Sequence, residues 1–585
     1  IPLKHSDQSK TSHDLKGAME KSHSDSYFFY PLYSKQVFDF TALLWRFPRP
    51  YYWYFALLRW RMLTRFWQST KVHMRHSKLF FPLLSGLIMQ IFCQQSWAVE
   101  KSLDQTINEV VGPWTERIFQ VIFFTPITIG GQAVPFILIW LAGAGIFLTI
   151  YFRFINLRSF ALAINTVRGK YSSPDDPGEI THFQALTAAL SATVGLGNIA
   201  GVAIAISKGG PGAAFWMVMI GFLGMTTKFA ECTLGVRYRE IDGNGKVHGG
   251  PMKYLTKGLA EQGWAKLGKF LGVSFAFLCI GASLGGGNMF QINQACSQFI
   301  EISGGADSLL ADYRWVFGAV IAVLVAVVII GGIRRIANVT ARLVPLMCLT
   351  YILGALTILA LHIGEIPSAI GLIISQAFTP DAYVGGLIGA LIVGIQRGTF
   401  SNEAGIGSAP IAHSAVKTTK PASEGIVALL EPFIDTIVVC SLTALVIVIT
   451  GSFGENLAGA NGIEVTSKAF ASVITWFPFV LFIAVTLFAI STMISWSYYG
   501  QQAWTTIFGT SRTSELFYQL LFCACIVVGS ALSLGAVTDF SDGMLLAMCF
   551  PNLIGVYFLL PVVKQELTAF HAHATAIDAE ELSKG

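Results

Sequence analysis

The chain has 585 residues, of which 53% are hydrophobic and only 12% are charged. Soluble proteins carry about 25% charged residues, so this composition, with a mean hydropathy of +0.59, excludes a soluble enzyme, a nucleic-acid-binding protein and a disordered chain. The formal net charge of +5 is too small to argue for a nucleic-acid partner. The composition therefore predicts an all-α protein that crosses a membrane many times.

The amino-terminal part differs from the rest of the chain. Residues 1–73 contain a polar stretch followed by an aromatic and basic run. Met74–Lys78 is a short basic segment, and it precedes an apolar core and small residues at the −3 and −1 positions of a cleavage site, so residues 74–98 are predicted to be a secretory signal peptide. The alternative is an ordinary first membrane helix. A signal peptide here would leave 1–73 outside the mature protein and make 99–131 an exported amphipathic lead-in.

Eleven stretches are candidates for membrane-spanning helices, which need about 20 mostly apolar residues. In chain order they are 132–152, 184–206, 213–236, 270–299, 315–332, 343–362, 383–411, 425–450, 475–500, 516–533 and 541–562. Glycine, asparagine or proline clusters interrupt the second, seventh and eleventh of these spans.

The loop charges predict the orientation in the membrane. Loops that follow odd-numbered spans carry most of the lysine and arginine, whereas the alternate loops hold only Lys208, Arg314 and Lys468 beside several acidic residues. The positive-inside rule then puts the amino end outside the cell and the tail, 565–585, in the cytoplasm. A cleaved signal peptide would leave the amino end in the same place, so we expect a multi-pass protein of the bacterial inner membrane.

Two interrupted spans share a short repeat. The order Asn-x-Ala-Gly-aliphatic occurs at 198–202 and again at 402–406. A lone glycine motif would equally serve helix packing, but paired interrupted helices in two halves are typical of a transporter binding site. Because five spans separate the copies, their orientations are opposite. This predicts two five-helix inverted repeats, 181–364 and 365–564, and a peripheral helix with its loop in 132–180.

The residues at these interruptions suit a zwitterion and a cation. A half-helix N-terminus can hold a carboxylate, and free carbonyls can hold Na⁺. Thr193 and Asn198 offer further oxygen ligands at the first interruption. In the ninth span the Ser491–Thr492 pair offers two hydroxyls, and Trp496 lies one helical turn further on. Gln291 follows a glycine run in the fourth span, where it either binds a ligand or is satisfied within the helix packing.

Five strings resemble the alanine/glycine:cation symporter family, also called sodium:alanine symporters: Thr193–Gly201, Lys208–Gly212, Thr226–Glu231, Gly249–Met252 and Gln396–Gly405. The Val-Gly-Leu-Gly-Asn string is also similar to the sodium-site helix of neurotransmitter:sodium symporters, which share the leucine-transporter-like inverted-repeat fold. The resemblance extends from about Gln132 to about Lys564.

The resemblance implies Na⁺-driven uptake of alanine or glycine, with no cofactor besides the coupling ion. H⁺ as the ion, or another small solute as the substrate, stays open. By the same resemblance the substrate contacts are Thr193, Gly197, Asn198, Gln291, Phe400 and Trp496. Its implied cation ligands are Ser191, Thr193, Val194, Asn198, Ser491 and Thr492. The two aromatic residues among the substrate contacts would leave little room for a side chain and would favour small amino acids.

Several ionisable residues within spans are candidates for gating or structural roles. Glu231 is three residues after Lys228 and is expected to pair with it, in a gate or in packing. Arg397 and Glu403 flank the second interruption and are expected to pair across it.

The eighth span holds two acidic residues on one face. Glu431 and Asp435 either bind a cation or a proton, or face cytoplasmic water, and water is the favoured alternative. His362 and His413 are expected at the membrane interface.

Two other function classes fit the sequence less well. An intramembrane enzyme would need a nucleophile–base or metal constellation, and no His-Glu-x-x-His or paired intramembrane Asp motif is present. A channel would be expected to have symmetric pore elements, whereas paired broken helices with an aromatic lid favour alternating access. The sequence therefore predicts a secondary transporter with an amino acid as its partner.

Overall fold

The structure, a computed structural model, describes residues 103–584 except 244, 309–310, 331, 380–385 and 455–460. The predicted signal peptide and the segment before it lie outside the described residues, and both remain predictions.

The described chain begins on helix α1 (Leu103–Ile122), within the predicted lead-in. A short antiparallel hairpin follows, formed by β1 (Ile127–Ile129) and β2 (Gln132–Val134). The apolar helix α2 then covers Phe136–Tyr151. The first predicted span, 132–152, therefore begins in a strand and becomes helical after Pro135.

The second predicted span is broken, as the sequence predicts. Helix α3 (His182–Thr193) begins with a capping box, in which Thr181 and Gln184 each bind the backbone N–H of the other at 3.0–3.2 Å. The chain leaves the helix over 194–199 and resumes it in α4 (Ala200–Gly209). We call 194–199 the first break.

Two long helices follow, joined by a small hairpin. Helix α5 (Gly212–Arg237) leads to β3 (Glu240–Ile241) and β4 (Val247–His248). Helix α6 (Ala265–Ile302) is apolar and long. The helix contains a π-helical turn at Gly285–Met289. Such turns within α-helices are frequent at functional sites.

Three apolar helices come next in the chain. They are α7 (Arg314–Ile329), α8 (Ile333–Leu361) and α9 (Ile366–Phe378). The sequence did not predict α9, which packs against α5, where the indole N–H of Trp216 donates to the Ala377 carbonyl at 3.2 Å.

The seventh predicted span is also broken. Helix α10 (Gly386–Asn402) ends before an irregular segment, 403–408, and helix α11 (Ala409–His413) follows it. We call 403–408 the second break. Helix α12 (Pro421–Ile449) comes next and contains a π-helical turn at Phe433–Cys440.

The carboxyl-terminal part is helical throughout. It consists of α13 (Ile463–Ala471), α14 (Phe477–Phe508), α15 (Arg512–Ala531), α16 (Leu534–Phe558) and α17 (Leu560–Lys584). The interruption predicted in the eleventh span is small, because α16 is irregular only around Met548. The predicted tail is part of α17, whose Asp578 accepts a hydrogen bond from Tyr171 at 3.1 Å.

Shorter helical turns connect these elements: Ile155–Arg158, Phe160–Val167, Pro251–Lys253, Tyr254–Gly258, Leu259–Glu261, Gly305–Asp307 and Ile363–Glu365.

Among the described residues, seven helices are long and apolar enough to cross a membrane: α5, α6, α8, α12, α14, α15 and α16. Helices α2, α4 and α7 and the segment that contains α9 are shorter and also apolar. The fold is therefore mostly helical and multi-pass, as predicted. The count of eleven spans and the inverted repeat remain predictions.

Helix packing brings the interrupted segments together. Helix α5 packs against α10 and the first turns of α12, α6 packs against α14, and α3 packs against α8 and α14. Helix α14 thus runs beside both the first broken helix and the π-helical turn of α6, which places the candidate site between these elements.

Candidate functional site

The first break touches the helix that leads into the second. A Cβ added at Gly197 would lie 3.4 Å from the ring of Phe400 and 3.4 Å from the Cα of Ser401. The absence of a side chain at Gly197 therefore allows the two interrupted segments to approach closely. Phe400 also meets Phe290 of α6 edge to face, with ring centroids 5.0 Å apart.

Gln291 of α6 contacts the first break. Its Oε1 accepts the backbone N–H of Leu196 at 3.1 Å, and its Nε2 donates to the Gly286 carbonyl at 2.9 Å in the π-helical turn. A Cβ at Gly195 would lie 2.6 Å from the Thr492 hydroxyl and 3.0 Å from the Gln291 amide oxygen. Both polar groups of Gln291 thus have partners within the protein, and Gln291 holds the unwound backbone in place.

Trp496 is bound to the second break. Its indole N–H donates to Glu403 Oε1 at 3.0 Å, and the Ser408 hydroxyl donates to Glu403 Oε2 at 2.5 Å. Glu403 has φ +58°, a left-handed conformation that non-glycine residues adopt rarely and mostly where the surroundings enforce it. The Trp496 ring lies directly on Gly287 of α6, where any added Cβ would overlap it.

Asp435 joins the first break to the end of α10, although its position in the first half of the eighth span favoured a place in cytoplasmic water. The side chain is fully buried. Asn198 donates to Asp435 Oδ2 at 2.7 Å, while the hydroxyls of Ser401 and Thr436 donate to Oδ1 at 2.8 and 2.6 Å. The favoured placement is therefore wrong. An acidic residue four positions after another within an apolar span was the available signal.

The six residues predicted to bind the cation fall into two groups. Ser191 and Ser491 are in contact, with their hydroxyl oxygens 2.9 Å apart. Val194 begins the first break, and Thr492 is buried beside it. Asn198 instead points to Asp435, and the hydroxyl of Thr193 donates weakly, at 3.3 Å, to a carbonyl of its own helix.

Polar atoms without a partner collect around the breaks. Within the described part of the chain, seven such buried atoms belong to α10 and α14: Arg397 Nη1, Thr399 Oγ1, Asn402 Nδ2, Thr486 Oγ1, Thr492 Oγ1, Ser495 Oγ and Tyr499 OH. On α14, Thr492, Ser495 and Tyr499 are spaced by three and four residues and so lie along one face of the helix, which also carries Trp496. Since buried polar groups nearly always have partners, this face has hydrogen-bonding capacity for a polar ligand.

The ion pairs expected within the spans form with other partners. Lys228 binds Glu431 at 3.0 Å, with both side chains fully buried, whereas Glu231 accepts a hydrogen bond from Asn552. Asn552 also donates to the Gly405 carbonyl of the second break at 2.8 Å. The predicted Lys228–Glu231 pair is thus wrong, because the two side chains face different neighbouring helices.

Arg397 does not pair with Glu403 either. It binds Asp542 in the first half of α16, and Gln396 donates to the same carboxylate at 2.8 Å. The Arg397 guanidinium lies 5.2 Å from the centre of the Phe400 ring. Arg397 therefore links α10 to α16 above Phe400, while Glu403 is committed to Trp496.

The two histidines at span ends differ in burial. His362 is partly exposed, and its Nδ1 lies 3.0 Å from the Ile358 carbonyl. His413 is fully buried, and its Nδ1 lies 2.5 Å from Glu424. The interfacial position predicted for His413 is therefore wrong, because α11 is folded inward against α5 and α3.

Comparison with known proteins adds an independent finding. Residues 118–584 match the sodium:alanine symporter family. The sodium/alanine symporter AgcS of Methanococcus maripaludis is 42% identical over 75% of this chain and 94% of that protein. The amino-acid carrier protein AlsT of Bacillus subtilis is 36% identical over 72% of this chain and 86% of that protein.

A solved structure is also similar. The crystal structure of MhsT in complex with L-phenylalanine is 16% identical, covers 68% of this chain and 99% of that one, and gives a TM-score of 0.46.

A multi-pass helical protein with two broken helices around a buried polar face, matched along most of its length by symporters, is a membrane transporter and not an enzyme. The chain belongs to the sodium:alanine symporter family. Its activity is therefore cation-coupled symport of an amino acid, and the resemblance drawn from the five strings is confirmed.

Proposed function

We propose that the protein carries alanine or glycine into the cell together with Na⁺, by alternating access at the two breaks. The observation that supports this best is the row of unpartnered buried polar atoms on α14, which faces the interrupted helices beside Trp496. A ligand with hydrogen-bonding groups and little apolar bulk satisfies such a face.

The aromatic residues favour a small substrate. Phe400 is in contact with Gly197, and Trp496 lies on Gly287. Each ring therefore occupies the space that a side chain would need if either glycine were replaced. The substrate carboxylate is assigned to the N-terminal end of α4, where the helix dipole is positive. Thr193, Gly197, Asn198 and Gln291 would surround it, and the two rings would enclose the remainder.

The cation is assigned to the region of Asn198, and Asp435 joins the ligands inferred from the sequence. A fully buried carboxylate in a membrane protein needs a compensating cation or proton. Asp435 accepts three hydrogen bonds from neutral side chains, which leaves its charge uncompensated locally. Hard oxygen donors of this kind suit Na⁺. Ser191, Val194, Ser491 and Thr492 supply oxygen atoms on the α14 side of the first break.

The topology that this function requires is part of the proposal. It consists of eleven spans, with five-helix repeats of opposite orientation in 181–364 and 365–564 and a peripheral first helix in 132–180. The amino end lies outside the cell and the carboxyl end in the cytoplasm. The charge pattern of the loops supports this orientation.

Uptake into proteoliposomes tests the function. With an inward Na⁺ gradient, labelled L-alanine is expected to accumulate with saturation, and unlabelled glycine is expected to compete better than larger amino acids. Replacing Na⁺ with K⁺ is expected to abolish accumulation. Flux that rises linearly with concentration, or that ignores the Na⁺ gradient, would contradict the proposal, and accumulation driven by a proton gradient alone would reassign the ion.

A matched pair of variants tests the site. Asn198→Ala removes the bond to Asp435 and is expected to reduce uptake severely at normal membrane expression. Asn338→Ala, at an exposed position on α8 where the side chain accepts a hydrogen bond from Gln184 at 3.0 Å, is expected to transport normally. Equal uptake by the two variants would refute the site assignment.

A further inference from the structure

A chain of buried ionisable groups leads away from the site. It begins at the half-buried Ser172, whose hydroxyl lies 2.7 Å from His182 Nε2. His182 Nδ1 is in contact with one oxygen of Glu424, and the other oxygen lies 2.5 Å from His413 Nδ1. Glu424 thus joins the start of α3 to the end of α11, one part of each broken helix.

The chain continues into the membrane domain. His413 Nε2 lies 3.5 Å from Glu431 Oε2, and Glu431 Oε1 lies 3.0 Å from Lys228 Nζ. Lys228 is in turn within electrostatic range of Glu403, the residue that binds the Trp496 indole. Every side chain of this group is at most 3% exposed. We call these groups the relay: His182, Glu424, His413, Glu431, Lys228 and Glu403.

The charges of the relay do not balance without bound protons. With Glu231, which is also close to Lys228, the cluster contains four carboxylates, one lysine and two imidazoles. Even with both imidazoles protonated, one negative charge is in excess. Since an uncompensated buried charge is costly, the cluster must hold a further proton on a carboxylate. It therefore contains at least one group that exchanges a proton.

Other titratable groups face the relay from the surrounding elements. They are Arg239 beside Glu424, Asp435 and Tyr499 near Glu431, Tyr254 and Cys549 near Glu231, Cys279 near Glu403 and Cys232 near Glu424 and Glu431. The phenols and thiols are neutral at ordinary pH. Arg239 adds one positive charge and Asp435 one negative charge, so the excess of one negative charge remains.

We propose that the relay is a proton-binding site that exchanges protons with the side of the membrane on which Ser172 lies, and that its proton occupancy is linked to ligand binding beside Trp496. The relay rests on the proposed function, because it regulates that same site. At its inner end, Glu403 accepts bonds from Trp496 and Ser408 through its two oxygens. A proton on Glu403 would turn one of these acceptors into a donor and loosen Trp496.

The sign of the linkage follows from the charges. Na⁺ bound near Asp435 brings a positive charge close to the relay carboxylates and lowers their affinity for protons. Binding of Na⁺ with alanine is therefore expected to release protons. Linkage is reciprocal, so acidic pH is expected to weaken alanine binding by about fivefold or more between roughly pH 8 and pH 6, which is the lower range of typical coupling between sites.

Titration calorimetry on the purified full chain tests the linkage. L-alanine is titrated in the presence of NaCl in two buffers of different ionisation enthalpy. An apparent enthalpy that is more exothermic in the buffer of higher ionisation enthalpy would demonstrate proton release, whereas the opposite dependence would show proton uptake and overturn the proposed sign. His413→Gln interrupts the relay with a polar side chain and is expected to lose both the proton release and the pH dependence of Kd. His571→Gln, at an exposed position on α17, is the matched control and is expected to behave as the wild type.

Each outcome has a separate meaning. If the wild type binds no alanine with Na⁺, the proposed function fails; if it binds with equal enthalpies in both buffers and a constant Kd, only the relay fails. A folded His413→Gln variant that releases as many protons as the wild type would overturn the assignment of the relay. If the His413→Gln variant cannot be purified, Glu424→Gln takes its place in the same measurement. Alanine accumulation in vesicles driven by a proton gradient alone would make the proton a transported ion and overturn its regulatory role.

Discussion

Replacing Trp496 with phenylalanine isolates one interaction at the site. The substitution keeps an aromatic ring on Gly287 and removes the indole N–H that donates to Glu403 at 3.0 Å. Trp496 is 1% exposed and Glu403 3% exposed, so bulk water cannot replace the lost donor. A hydrogen bond to a charged group contributes about 1.5–3 kcal/mol, which corresponds to roughly 10- to 150-fold in an equilibrium constant. We expect the KM for alanine to rise within that range.

The assay is Na⁺-driven uptake of labelled alanine in proteoliposomes, with KM and kcat measured separately. Trp504→Phe is the matched control, since Trp504 lies on the same helix and donates its indole N–H to Ser514 at 2.9 Å. This bond is neutral and lies outside the site, so the control is expected to keep the KM of the wild type. An unchanged KM and kcat in Trp496→Phe would refute the view that Glu403 holds the ring in place.

Three further substitutions have defined outcomes. Asp435→Asn keeps the shape of the side chain but removes its charge. A charge-assisted contact is worth more than about 1.4 kcal/mol, so we expect the Na⁺ concentration for half-maximal uptake to rise at least about tenfold. An unchanged Na⁺ dependence would remove Asp435 from the cation site. Gly287→Ala forces the tryptophan ring to move and is expected to abolish uptake, whereas Gly143→Ala, with open space around the new methyl group, is expected to be neutral; equal uptake would contradict the packing. Lys228→Met leaves Glu431 buried without its partner and is expected to cost about 3–5 kcal/mol of stability, a loss that Glu431→Gln in the same chain should partly reverse in thermal unfolding.

The breaks were predictable because their causes are local. Glycine and asparagine are poor helix formers in any setting, and a membrane environment tolerates unwound backbone only in a protected place. Both interruptions accordingly appear at the predicted positions, at 194–199 and 403–408. The motif strings around them also sufficed to predict the family, which the comparisons confirm.

Helices without a spanning length were harder to predict. Helices α9 (Ile366–Phe378) and α13 (Ile463–Ala471) are each shorter than the stretch of about 20 apolar residues by which spans are predicted. Helix α13 nevertheless supports the first break, because the Thr466 hydroxyl donates to the Ile199 carbonyl at 3.2 Å. Its amphipathic sequence shows that one face is buried but gives no information about which element lies against that face.

The partners of the buried charges were not predictable for a related reason. Sequence spacing favours neighbours three or four positions away, which led to Lys228–Glu231, yet on a helix surrounded by other helices two such residues can still face different neighbours. The actual partners, Glu431 for Lys228 and Asp542 for Arg397, are more than a hundred positions away. In a medium that does not screen charge, the geometry of the assembled helices decides which ions meet.

Arg397 and Glu403, although close in the sequence, bind different helices. Asp542 occupies the Arg397 guanidinium, whereas Glu403 accepts the Trp496 indole N–H. Helix α10 is thus tied to α16 through Arg397, and the second break that follows it is tied to α14 through Glu403. A movement that separates α10 from α16 would free Arg397, whose nearest alternative carboxylate along the chain is Glu403. If Glu403 then paired with the freed guanidinium, it would no longer hold the Trp496 indole, so the packing of α10 on α16 is linked to the position of that ring.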